Sequence, residues 1–161
     1  MSCIFNDLLN HVHRPKASDR PDDIQDGPYW KRHRQLDNNL GSAFMFLPDK
    51  FQLPANIRDM VALQVNLNLH ASVVCLHSAA CDVVNKYGLD KRLGERSKVR
   101  KLTAAREVVK IMRLARETTS PYVSGGVCFL LLLVFHFYSH NLATENPLSS
   151  PLSLLRCNGL R

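Results

Sequence analysis

A chain of 161 residues with 45% apolar content and a mean hydropathy of −0.15 reads as one ordinary domain able to bury a core, globular and not disordered as a whole. Its net charge of +7 is local: eight Lys/Arg balance eight Asp/Glu over residues 1–65, whereas eleven stand against five over residues 66–120. A basic patch inside a domain is weaker evidence for nucleic acid than a charged arm.

Residues 1–13 read as a leading helix, with Ile4, Phe5, Leu8, Leu9 and Val12 spaced along one face. This N-terminus has an early acid and no continuous apolar core, so no secretory signal is expected. Proline at His13-Arg14-Pro15 stops the helix. Residues 14–27, RPKASDRPDDIQDG, are polar and aperiodic and read as a surface loop or linker. Asp26-Gly27-Pro28 then opens a second helix. Its stripe of Trp30, His33, Leu36, Leu40, Ala43 and Leu47 runs to the stop at Pro48.

A third helix starts after Pro54. Met60, Leu63, Leu67, His70, Val74, His77, Cys81 and Val84 recur at alternating spacings of three and four. A second apolar stripe from Ala62 to Val83 runs beside it, so this helix is expected to be a central strut covered on at least two sides. Gly88 is its expected C-terminal cap. A fourth helix is expected over roughly Ser97–Thr118, burying Leu102, Ala105, Val108, Val109, Met112 and Ala115. Ser120-Pro121 opens an expected fifth, from Tyr122 to about Tyr138. Residues 139–161 carry Pro147 and Pro151 and read as a loose tail. The expected class is all-α: about five helices around a buried central one.

The stretch NLNLHASVVCLHSAAC (66–81) places two histidines and two cysteines on the central helix. His70 and His77 stand about 10.5 Å apart along the axis, and helical side chains lean the same way, so they do not converge on one ion. His77 and Cys81 could share a metal only if remote groups such as His33 or Cys128 completed the set. Core packing is therefore the expected role, and no metal, cofactor or catalytic residue is assigned. The cysteines Cys3, Cys75, Cys81, Cys128 and Cys157 are odd in number without close zinc-type pairs, which fits a reducing compartment. Lys31, Arg32 and Arg34 read as a solvated face, as do Arg106, Lys110 and Arg113. The run VCFLLLLVFHFY (127–138) spans about 18 Å as a helix against roughly 30 Å of hydrocarbon, so it reads as core.

Four blocks in order then carry a resemblance: YWKRHRQLDNNLGSAFMFLPDKFQLP (29–54), NLNLHASVVCLHSAA (66–80), LTAAREVVKIMRL (102–114) and SPYVSGGVCFLLLLVF (120–135). Together they resemble the fungal-specific transcription factor domain, the middle homology region of fungal zinc-cluster regulators that include the xylanolytic-activator group. The resemblance covers about residues 8–138, with 28–138 as the partial helical domain. It implies an all-helical, non-enzymatic region that regulates transcription by RNA polymerase II in the nucleus through protein partners or self-association. DNA contact, and zinc, would belong to a cysteine-rich N-terminal cluster that has no counterpart here. The last block departs from the family, reading LLLLVF where a small-residue-rich segment is usual, and nothing after Tyr138 matches. The chain is accordingly expected to be a piece of a larger regulator: a truncated paralogue or an incomplete gene model. Two other readings stand beside it. One is a small-molecule effector held between the central helix and residues 127–138, and the other is membrane association through residues 123–138, although no membrane is expected.

Overall fold

The fold is all-α. In the computed structural model residues 2–14, 16 and 18–118 are described. They form α1 (Ser2–His13), α2 (Pro28–Met45), a 3₁₀ turn (Asp49–Phe51), α3 (Met60–Tyr87) and α4 (Lys91–Thr118), with no strand among the described residues. The expected fifth helix, Tyr122 to about Tyr138, and the tail 139–161 lie outside them.

Helix α3 is the axis of the bundle, about 42 Å long at 1.5 Å per residue. Asp59 starts it, its carboxylate accepting from the backbone N–H of Val61 at 2.8 Å and of Ala62 at 3.3 Å. Gly88 ends it at φ 62°, a left-handed conformation that glycine adopts without a Cβ penalty. Only two residues later the Asp90 carboxylate accepts from the Arg92 N–H at 2.9 Å and opens the next helix. Helix α4 therefore begins at Lys91, not near Ser97. Its first turns are polar and carry no apolar stripe, so periodicity alone could not find them. The two long helices run antiparallel, since Val84 meets Gly94, His77 meets Arg100, and Leu63 and Leu67 pack with Val108 and Ala115.

Three apolar clusters hold the bundle. In the middle, Leu8, Leu36, Leu40, Leu69, Val73, Val74, Leu76 and Ala104 bring all four helices together. Ile57, Leu63, Leu67, Val108 and Ala115 close one end, and Tyr29, Trp30, Ala80 and Val84 close the other. By length and composition α3 could cross a membrane, but most of its apolar stretch is buried under its neighbours.

Several expectations on burial change. Helix α1 turns Leu8 and His11 inward and leaves Phe5 and Leu9 over 40% exposed. Met60 and Val109, expected in apolar stripes, are also close to half exposed. Helix α2 ends at Met45, two residues before Leu47, where the Phe46 N–H bonds the Ser42 carbonyl.

Residues 18–27 are pinned to α2 and are not a free linker. Asp19 is buried and accepts from the Lys16 N–H at 2.8 Å and from Arg32 Nη2 at 2.6 Å. Trp30 Nε1 donates to the Pro21 carbonyl at 2.7 Å. Arg34 donates to the carbonyls of Ile24 and Gln25, and Lys31 pairs with Asp26. Lys31 and Arg34 stay exposed, as the solvated-face reading expects, but the basic cluster 31–34 also holds this loop in place. Gly27 is required where loop meets helix, because a Cβ there would lie 2.3 Å from the Asp23 carbonyl oxygen.

Candidate functional site

The two histidine-bearing segments meet inside the fold. His33 on α2 and His77 on α3 are both buried, their rings 5.3 Å apart and nearly perpendicular. His11 from α1 continues the row, 5.9 Å from the His33 ring and stacked on Tyr29 at 4.5 Å. Trp30 sets its edge against both Tyr29 and His33. These side chains converge because α1 and α2 present theirs from neighbouring turns while α3 passes beneath.

One end of the row carries an ion pair. Arg100 on α4 reaches across α3, donating from Nη2 to Asp37 and from Nε to His77 Nε2 at 3.1 Å. Since that nitrogen accepts, the His77 proton sits on Nδ1, and the 3.3 Å approach of Asp37 Oδ1 is held through the shared arginine. Protonating His77 would put a cation directly against Arg100. The other end of the row is flanked by the Asp19–Arg32 pair.

Burial sets the protonation states. It is the main cause holding His11 down to about 4 and His33 down to about 3, with Arg32 acting in the same direction on His11 and His77 on His33. His77 is lowered chiefly by burial, against the pull of Asp37. Burial pushes the Asp19 carboxyl up, but the Lys16 N–H and the Arg32 guanidinium outweigh it and leave the group below its ordinary value. The Tyr29 phenol is raised by burial and by Asp82. His11 Nδ1 and Nε2, Tyr29 Oη, His33 Nδ1, His77 Nδ1 and Ser78 Oγ are buried with no hydrogen-bond partner among the described residues. Buried polar atoms are seldom left so.

Of the groups singled out in the sequence, His33 and His77 come together, and His70 does not join them. It lies against the Phe44 ring at 4.7 Å, with its pKa lowered mainly by burial. The Cys81 thiol donates to the Gly94 carbonyl at 3.7 Å, and burial pushes the Cys75 thiol up to about 11, which keeps it protonated at neutral pH. Cys128 lies outside the described residues. Among the described residues no three or more His, Cys, Asp or Glu side chains are arranged to hold a metal ion. Arg106, Lys110 and Arg113 are exposed on α4, with Lys110 paired to Glu107 at 2.6 Å. His11, Tyr29, Asp37 and Arg100 were missed as parts of the node. His11 at i+3 from Leu8 on an amphipathic helix was the one available signal.

No family model matches the chain, and neither a curated protein nor a solved structure matches it.

Proposed function

We propose that this chain is a regulatory helical region of the fungal zinc-cluster transcription factor type, acting in the nucleus through protein contacts and without catalysis. The observation that carries the reading is the way the resembling blocks interlock. His33 and Asp37 of the first block meet His77 of the second. Asn66 of the second donates to the Phe51 carbonyl of the first at 2.7 Å. Ala104 and Val108 of the third pack on residues of the second. Side chains that would look like ligands or nucleophiles are used as mutual fasteners, as a scaffold requires and an active site does not. The block 120–135 lies outside the described residues.

The test is to tether the full chain to an unrelated sequence-specific DNA-binding domain in a fungal cell carrying a matching reporter. Altered reporter output, together with nuclear accumulation of the untethered chain, is the expected result. An unchanged reporter, or turnover of ester, peptide or phosphate substrates by the purified chain, would overturn the reading.

A further inference from the structure

Between α1 and α2 lies a cleft of about 570 Å³, within the size range of small-molecule sites. Helix α1 contributes Asp7, Asn10 and His11, with Arg14 just past its end, and α2 contributes Arg32, Gln35, Leu36 and Asn39. Each set follows the i, i+3, i+4, i+7 pattern of one helical face. Facing stripes of two packed helices are normally apolar, yet here Leu36 is the one aliphatic residue among them. Lys16 adds a second cation beside Arg14. Arg32 is committed to Asp19, whereas Arg14, Lys16 and Asp7 have no ion pair among the described residues.

A second observation comes from the wall. The His11 ring lines the cleft, is 4% exposed, and has neither nitrogen hydrogen-bonded among the described residues. A small turn of that ring toward a ligand oxygen would supply its missing partner.

We propose that this cleft binds a small anion bearing hydroxyl groups, a sugar phosphate or a hydroxycarboxylate. Arg14 and Lys16 hold the charge, the carboxamides of Asn10 and Asn39 take the hydroxyls, and His11 completes the set. Carboxamides both donate and accept, which suits hydroxyls, and guanidinium with ammonium suits a phosphate or carboxylate. Asp7 opposes the charge and limits affinity. The proposal goes beyond the transcriptional reading and does not rest on it.

Calorimetric titration of the full chain at about 150 mM salt with glucose 6-phosphate, citrate, inorganic phosphate and glucose tests it. Saturable binding of at least one of the first two is expected, and which one binds separates a phosphate source from a carboxylate source. Glucose should not bind, and inorganic phosphate should bind about tenfold more weakly than the organic anion. The Arg14→Gln/Lys16→Gln variant should raise Kd about tenfold or more, with an unchanged circular dichroism spectrum because both side chains are exposed. Asp7→Asn should lower Kd, an effect that a purely structural role for this face does not produce. No saturable binding of either organic anion at roughly 10 mM, equal affinity of the doubly substituted chain, or phosphate binding as tightly as the sugar phosphate would each overturn the proposal.

Discussion

The two ends of α3 are packed by different chemistry. Near its start Leu63 and Leu67 sit among Ile57, Val108 and Ala115 in an aliphatic cluster. Toward its other end the same helix meets Trp30, Tyr29, His33 and, at its margin, the Asp37–Arg100 pair, with buried polar atoms that have no partner among the described residues. The aliphatic cluster gains its stability from area removed from water, and none of its buried members titrates. The histidine end gains from ring packing but bears the desolvation of imidazoles held neutral. One end should therefore respond to volume alone, and the other to volume and pH together.

Trp30→Ala should produce the largest loss. The side chain is 1% exposed and ties the 18–27 segment through Pro21, so its removal opens a cavity and cuts one of the loop's ties at once. A loss of about 3–5 kcal/mol is expected from urea unfolding at pH 7. Leu63→Ala at the other end should cost about 2–5 kcal/mol. The comparison breaks if the tryptophan substitution proves the milder of the two.

Acid should separate the ends further. His11, His33 and His77 are neutral when folded but take protons near pH 6.5 when unfolded, so the unfolded chain binds more protons below that pH. Their contribution is complete above about pH 6.5. It is lost as pH falls, down to about 4 for His11 and about 3 for His33. Each histidine adds up to about 1.4 kcal/mol per pH unit to the slope. His70, lowered by burial, adds to the same slope from outside the row. Urea midpoints between pH 7 and 5 should fall steeply for the wild type and for Leu63→Ala, and less steeply for His33→Phe. A flat wild-type profile would sink the neutral-imidazole account.

The aliphatic end was legible in the sequence, because Leu63, Leu67, Val108 and Ala115 lie where helical periodicity puts core residues. The cap at Gly88 was equally plain. The node was only half legible: His33 and His77 fell on buried stripes, but periodicity says which face a residue occupies and not which partner waits opposite. Pairing Asp37 with Arg100 requires knowing that α4 crosses α3 at that level. The 18–27 segment misled because composition reports polarity, whereas its order comes from Asp19, an ionisable side chain buried against Arg32. The cleft between α1 and α2 was invisible for the same reason. Nothing in the sequence sets Asp7, Asn10, Arg14, Gln35 and Asn39 apart from other polar positions; they come together only where α1 and α2 pack.

Asp37→Asn tests the margin of the node with a smaller effect. The carboxylate is partly exposed and Arg100 more so, which screens the pair and limits the expected loss to about 1 kcal/mol at pH 7. Removing the negative charge also removes what holds the His77 pKa up, so this imidazole should become still harder to protonate. Histidine chemical shifts followed by NMR through the acid range would read this directly. A rise in the His77 pKa would instead mean that Arg100 swings away once Asp37 is neutral.

Lys110→Ala should have the smallest effect. Lys110 is an exposed cation paired with Glu107 one turn away, a contact worth less than about 0.5 kcal/mol in water. Its value is as a reference for α4, whose inner face closes the aliphatic end while its outer face carries Arg106, Lys110 and Arg113. If urea unfolding shows a loss well beyond that figure, the outer face is not simply solvated. The division between a dry, insensitive end and a polar, responsive one would then have to include it.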